Sequence, residues 1–317
     1  MPSSPVSSVF MTVKGPHSHS CATRSASARL KAAWAPAGLI QHKQGRWYPG
    51  EPLPRWEIAL YWRTDGRPLW ADPALLADPW GDQPARPAET DAARAVLAAV
   101  ADGLGLPAAQ VRPASEDPLH RLAAKVLLPE GDPVEAADDL ADDSPAGRAA
   151  LLARLDETLT EPAAFVLPLH RRDDDLGWAS ADWRLRRGRI VLVDGDSPAG
   201  LRLPLDSISW QPPRPTFDAD PLTVAGAPAT DSARAVVTEP DGAPPTAMVA
   251  EVRDGLVHIF LPPTEALEHF TDLVARVEAA AAGAGRAVVI EGYGPPPDPR
   301  LRSTTITPDP GVIEVNV

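Results

Sequence analysis

The chain has 317 residues, of which 44% are hydrophobic, so it is long enough for one large domain or two ordinary ones with a true core. Its net charge of −13 argues against binding to nucleic acid or to an anionic membrane surface. The single cysteine excludes a disulfide framework and a cysteine-based zinc site, and no apolar run reaches the length of a membrane span. We therefore expect a cytoplasmic protein whose partners include neither nucleic acid nor a membrane.

Residues 1–28 are rich in serine and show no hydrophobic periodicity, so we expect them to be disordered. Cys21 lies in this segment beside His17 and His19. A catalytic cysteine needs a preformed pocket and an orienting third group, and this local sequence predicts neither.

Residues 29–88 carry five tryptophans between positions 34 and 70, interspersed with arginines and prolines. Residues 58–62 predict a strand, and the Thr64-Asp65-Gly66 sequence predicts the turn that follows it. We interpret the segment as a small Trp-rich N-terminal lobe in which the rings supply core volume. A stacking surface for nucleic acid is the alternative.

Residues 89–210 predict helices and a β-hairpin. Apolar residues recur at three- and four-residue steps in the helical parts, which is the spacing of one buried helix face. The predicted elements are helices over 91–103 and 146–158, an apolar strand over 164–169, and a hairpin pairing 178–185 with 189–193.

A glycine-flanked turn follows the predicted hairpin. Ser197 and Gly200 belong to a tight turn that directs Asp196 and Arg202 toward a common region. Backbone N–H groups and a guanidinium in such a turn can bind phosphate. The same residues also fit an ordinary β-turn with a structural Asp–Arg pair, and the pattern leaves both interpretations open.

Residues 211–246 form a proline-rich linker or insertion, and residues 247–317 then predict the order ββαββ. The strongest signal is a hairpin around Asp254-Gly255, since this dipeptide suits a type I′ turn. The remaining elements are a helix capped by Thr264 and stopped by Gly283 and Gly285, a strand over 287–290, and a strand over 311–317.

Three oxygen-bearing side chains near the C-terminus predict a metal site. Glu291 ends a short strand, and Glu314 and Asn316 share one face of the last strand because strand side chains alternate. Carboxylate and amide oxygens are the ligand types that Mg²⁺ prefers. The alternative is that Glu314 and Asn316 form the solvated face of an edge strand. For the whole chain we predict an α+β fold, with a mostly antiparallel sheet and packed helices beside the Trp-rich lobe.

Several long segments carry a family resemblance, among them LKAAWAPAGLIQHKQGRWYPGEPLPRWEIALYWRTDGRPLW, PPTEALEHFTDLVARVEAA and EGYGPPPDPRL with GVIEVNV. They resemble the amidoligase domain of large bacterial transglutaminase-like proteins. The resemblance extends over nearly all of residues 29–317 and corresponds to the N-terminal part of that domain only. In such proteins a transglutaminase-like domain precedes this part, which makes that domain a possible partner.

The resemblance implies a fold similar to the glutamine synthetase and glutamate–cysteine ligase superfamily. Such enzymes join a carboxylate to an amine with ATP and Mg²⁺, so the implied substrates are peptide or amino-acid carboxylates and amines. The implied residues are Glu291, Glu314 and Asn316 for the metal, Asp196 and Arg202 for catalysis, and Ser197, Gly200 and Arg202 for the nucleotide.

The chain departs from the family pattern at both ends. Residues 9–19 begin in register with an upstream family stretch and then diverge, as a frameshift would produce, and a His/Gly/Asn-rich downstream segment is missing. We therefore expect a truncated ATP-dependent amidoligase that is incomplete as an enzyme. The alternatives are a non-catalytic binding or scaffold fragment and a transglutaminase-like cysteine acyltransferase.

Overall fold

The computed structural model describes residues 8–12, 16–44, 56–81, 87–116, 144–146, 162–172, 177–183, 189–192, 235–238, 246–309 and 312–316. Over these residues the fold is α+β with three helices, α1 (Pro16–Trp34), α2 (Thr90–Leu104) and α3 (Leu267–Ala284). The strands are β1 (Ser8–Thr12), β2 (Leu39–Gln44), β3 (Trp56–Arg63), β4 (Arg112–Glu116), β5 (Ala164–Pro168), β6 (His170–Arg171), β7 (Trp178–Ala181), β8 (Ile190–Leu192), β9 (Val236–Thr238), β10 (Ala247–Arg253), β11 (Leu256–Leu261), β12 (Val288–Gly292), β13 (Leu301–Asp309) and β14 (Val312–Asn316).

Eleven of these strands form one mixed sheet in the order β1-β14-β13-β3-β2-β12-β11-β10-β5-β4-β8, and β6, β7 and β9 form a second sheet. In the large sheet seven described pairs are antiparallel, and β2/β12, β11/β12 and β4/β8 are parallel. The β11–α3–β12 unit is a strand–helix–strand crossover, which makes its two strands parallel neighbours. The α+β prediction is confirmed, but the sheet is mixed.

Helices α2 and α3 cover one face of the large sheet, which we call the α2–α3 face. Their buried residues recur at three- and four-residue steps and pack against alternate strand residues such as Tyr61, Ala250 and Ile259. Helix α1 packs on the other face, the α1 face, where Leu30 meets a smaller cluster that includes Ile58, Ile306 and Val315. None of the described helices is long and apolar enough to cross a membrane.

The C-terminal hairpin and the two amphipathic helices confirm the sequence predictions. Asp254 and Gly255 have φ values of 49° and 73°, the positive angles that a type I′ turn requires at both central positions. Helix α3 begins after Ala266, so the predicted Thr264 cap is wrong. Gly285 ends α3 with a φ of 60°, because a residue without Cβ adopts this left-handed conformation at little cost.

One expectation for the N-terminal part is corrected, and another is not confirmed. Residues 1–28 include β1 and most of α1 rather than an uninterrupted disordered segment. Strand β1 obtains its hydrogen-bonding partner from β14, at the opposite end of the chain, which local composition cannot reveal. The Trp-rich lobe is not confirmed, since β2 and β3 lie in the middle of the large sheet.

The predicted hairpin over 178–193 is wrong. Strand β7 pairs with β6 and β9 in the small sheet, whereas β8 pairs with β4 in the large one. Strand β14 lies between β1 and β13 and is therefore not an edge strand. Residues 147–158 of the predicted second helix, and most of the 211–246 linker, lie outside the described residues. The predicted domain boundaries stay a prediction.

Candidate functional site

Four charged or titratable side chains meet on the α1 face of strands β10, β11 and β12. Glu251 and Arg253 lie two residues apart on β10 and therefore share a face of the sheet. The hairpin register places Glu251 opposite His258 of β11. Phe260 of β11 pairs in parallel with Glu291 of β12, so Glu291 joins the same face. We call Glu251, Arg253, His258 and Glu291 the β10–β12 cluster.

Arg253 connects the two carboxylates of this cluster. Its Nε lies 3.0 Å from Glu251 Oε1, and one of its terminal nitrogens donates to Glu291 Oε1. His258 Nδ1 lies 3.0 Å from the same Glu291 oxygen. The two carboxylate side chains are only 4% and 5% exposed, whereas the Arg253 side chain is 30% exposed and marks the side open to solvent.

Glu291 is ionised at neutral pH although it is buried. Burial acts to raise its pKa, but the hydrogen bond from His258 and the charge of Arg253 outweigh that effect, so the pKa of Glu291 is lowered. Its second oxygen, Oε2, is buried and accepts no hydrogen bond from any described residue. Such an oxygen costs about 1–3 kcal/mol unless a ligand or water satisfies it.

His42 of β2 extends the cluster by one strand. It is the Cα partner of Glu291 in the parallel β2/β12 pair, and it is 7% exposed. Its ring packs edge-on against Trp80 at 4.8 Å between centroids. Burial lowers the pKa of His42 to about 4, and the charge of Glu291 opposes this only in part. The imidazole is therefore neutral at pH 7.

A cavity of about 150 Å³ adjoins His42 on the α1 face. Its walls include Arg24 and Lys31 of α1, Ile58 of β3 and Trp80. The cavity and the β10–β12 cluster therefore lie on neighbouring strands of one face.

The three predicted metal ligands do not converge. The strand pairing places Glu314 and Asn316 on the α2–α3 face and Glu291 on the α1 face. Strands β12 and β14 are separated by β2, β3 and β13, which at about 4.8 Å per strand step amounts to about 19 Å. One metal ion cannot contact both groups.

Glu314 belongs instead to a polar row across the α2–α3 face. It is 8% exposed, so it does not form a solvated face, and it lies opposite Thr307 of β13. The Thr307 hydroxyl donates to Glu57 at 3.1 Å, and Glu57 pairs with Lys43 at 2.9 Å. Cross-strand contacts of this kind stabilise the sheet.

No preformed metal site is found among the described residues. Among them no group of three His, Cys, Asp or Glu side chains is arranged to hold a metal. In the β10–β12 cluster the guanidinium of Arg253 already lies between Glu251 and Glu291, where a cation would bind. Arg253 therefore supplies one positive charge against the two carboxylates of the cluster.

The other predicted site residues are not tested. Asp196, Ser197, Gly200 and Arg202 lie outside the described residues, and their roles stay predictions. Cys21 falls on α1 at a position whose side chain is not described.

The sequence analysis missed the partners of Glu291. The signal was present in the predicted hairpin, because a type I′ turn at Asp254-Gly255 fixes Glu251 opposite His258 and leaves Arg253 on their face. No comparable local signal points to His42, whose contact with β12 joins residues 249 positions apart.

A family model described as "putative amidoligase enzyme" matches residues 10–235 and 220–317. Together these matches cover nearly the whole chain, and the chain belongs to this family. Comparison with curated proteins and with solved structures gives no match. The predicted amidoligase resemblance is confirmed at this level, whereas the transglutaminase-like partner domain stays a prediction.

Proposed function

We propose that this member of the amidoligase family is an ATP-dependent carboxylate–amine ligase that binds its reacting groups on the α1 face, over β10, β11 and β12. The single observation that carries the proposal is the ionised, buried Glu291, which has one oxygen that no described residue satisfies, beside Arg253 and His258. The family match supports the reaction class.

The reaction begins with transfer of the terminal phosphoryl group of ATP to an oxygen of the substrate carboxylate, which gives an acyl phosphate and ADP. The nitrogen of the amine then attacks the carbonyl carbon, and the C–O bond to phosphate breaks. A primary ammonium gives up two protons in all, one before the nitrogen attacks and one as the amide forms. The protein therefore has to bind an anion, bind an ammonium group and accept a proton.

The β10–β12 cluster offers groups for each of these tasks. Glu291 Oε2 is a free acceptor for the ammonium of the incoming amine. Arg253 is the partly exposed member of the cluster and can hold an oxygen of the acid or phosphate. His258 Nδ1 lies 3.0 Å from Glu291 Oε1 and holds the carboxylate in place, so Glu291 is the group that accepts the proton. Because the described residues form no metal site, the proposal assigns them no Mg²⁺.

Hydroxylamine provides a direct test, since it replaces the amine and converts an acyl phosphate into a hydroxamate. Added ferric iron then forms a coloured complex with the hydroxamate. The chain is incubated with ATP, Mg²⁺, hydroxylamine and a panel of amino-acid and dipeptide carboxylates, and hydroxamate and ADP are both measured. We expect ATP-dependent hydroxamate with at least one acid. With a panel of amino acids as the amine in place of hydroxylamine, Glu291→Gln should lower the rate of amine-dependent ADP release by about 100-fold or more, because the ammonium loses its proton acceptor.

Glu265→Gln is the matched control, because Glu265 is an exposed carboxylate just before α3. It should leave the rate unchanged. The proposal fails if no acid gives hydroxamate, or if Glu291→Gln retains the wild-type rate.

A further inference from the structure

The cavity beside His42 has the features of a binding site for a small molecule. Lys31 and Arg24 line it from α1, Trp80 closes it from the segment after β3, and Ile58 and His42 come from the sheet. It lies one strand step from Glu291, the Cα partner of His42. A ligand in the cavity would therefore lie next to the β10–β12 cluster.

The charges that line the cavity are not balanced. Arg24 pairs with Asp78 through a 2.6 Å contact between Nε and Oδ2. Lys31 also lines the cavity, and no described residue forms an ion pair with it. Burial lowers the pKa of Lys31, because the ammonium is partly removed from water and no described counter-ion offsets that loss of hydration. The lining thus holds one uncompensated cation beside a neutral His42.

The rest of the lining is largely apolar. Ile40, Ile58 and Leu76 contribute aliphatic surface, and the Trp80 ring packs against His42 at 4.8 Å. A cavity of about 150 Å³ in another protein accommodates benzene, so this one has room for about six carbon atoms. A largely apolar pocket with a few well-placed polar groups is the usual form of a site for a small organic ligand.

We propose that this cavity binds a small organic carboxylate of up to about six carbon atoms, with its carboxylate at Lys31 and its apolar part against Ile58 and Trp80. Inorganic phosphate would use Lys31 but would leave the apolar walls uncovered, so the walls favour an organic acid. The inference deepens the proposed ligase function. Binding of the acid does not depend on that function, whereas its role as the molecule that is joined to the amine rests on it.

Direct binding tests the site without ATP. Calorimetric titration of the chain with hexanoate should show binding at one site, whereas hexanamide, which has the same shape but no charge, should bind at least about tenfold more weakly. Inorganic phosphate should bind more weakly than hexanoate as well. Lys31→Gln should weaken hexanoate binding at least about tenfold, because a hydrogen bond between charged groups is lost.

Two further variants separate a specific site from a general effect of charge or folding. Arg29→Gln removes the same charge from an exposed position of α1 and should leave hexanoate binding unchanged. Ala28→Leu keeps every charge but adds a side chain at the cavity wall, and it should weaken binding. Thermal unfolding of each variant shows whether it is folded.

The inference is overturned if hexanamide or phosphate binds as tightly as hexanoate, or if Arg29→Gln weakens binding as much as Lys31→Gln does. Hexanoate binding that depends on Lys31 in a chain that makes no hydroxamate would support the cavity site and reject the ligase proposal. Hydroxamate formation in a chain that binds no small acid through Lys31 would support the ligase proposal and reject the cavity site.

Discussion

Arg253 compensates two buried carboxylates in the middle of the large sheet, so Arg253→Met should be strongly destabilising. The change leaves Glu251 and Glu291 buried without the cation that contacts both. Removing one partner of a buried ion pair costs about 3–5 kcal/mol. We expect about 3 kcal/mol, the lower end, because the Arg253 side chain is 30% exposed and His258 still contacts Glu291.

The loss should depend on pH in a defined direction. In the wild-type protein the pKa of Glu291 is lowered, so the stability that its charge provides is fully present above the ordinary value of 4.5. That stability is lost as the pH falls through the lower folded-state pKa. In Arg253→Met the charge of Arg253 no longer opposes burial, so the pKa of Glu291 rises relative to the wild type. The difference in stability should therefore shrink as the pH falls from about 7 to about 4.

Urea unfolding of both proteins, followed by tryptophan fluorescence at pH 7, 5 and 4, measures this difference. Arg302→Met, an exposed position on β13, is the control for removal of an arginine and should change the unfolding free energy by less than about 0.5 kcal/mol. A loss below about 1 kcal/mol for Arg253→Met at pH 7, or a loss that stays constant down to pH 4, would refute the reasoning.

Two more predictions concern buried rings. Trp178→Phe removes the indole N–H that donates to buried Asp272 at 2.8 Å, and urea unfolding should show a loss of about 2 kcal/mol in unfolding free energy. Trp34→Phe, at a 45% exposed position, is the control and should have little effect. Equal losses for the two variants would contradict a stabilising role for the Trp178–Asp272 hydrogen bond. Because burial lowers the pKa of His42 to about 4, the unfolded state binds one more proton between about pH 6.5 and 4, and stability should fall as the pH drops through that window. A proton NMR titration should show a neutral His42 ring at pH 5, and a ring that titrates near pH 6.5 would count against it.

The elements that sequence could predict are those whose signal is local. The hairpin β10–β11 is fixed by Asp254-Gly255, and α3 by its apolar spacing and by Gly285. Strand β13 was missed because its start follows four prolines in residues 295–299 and Pro308 lies within it. Its hydrogen bonds come from β3 and β14, and pairing over such separations leaves no pattern in the strand itself.

The candidate site could be predicted only in part for the same reason. Glu291 was identified as a candidate metal ligand because it ends a short apolar strand, and it does lie in the β10–β12 cluster. Its assignment to a site with Glu314 and Asn316 required a guess about strand order. The sheet puts β2, β3 and β13 between them, and its register places Val315, not Glu314 or Asn316, on the face of Glu291.

The parallel pairs explain why the cluster and the cavity meet. Strands β11, β12 and β2 run in one direction, and Glu291 and His42 lie one and two residues from the ends of their strands. Ligands in sheets with parallel strands bind beyond the carboxyl ends, where the chain leaves the sheet. At this end the backbones of β12 and β11 approach so closely that only glycine fits at position 292, since a Cβ there would lie 2.4 Å from the carbonyl oxygen of Leu261. The parallel β2/β12 pairing therefore brings Glu291 beside His42, and with it the buried carboxylate beside the cavity.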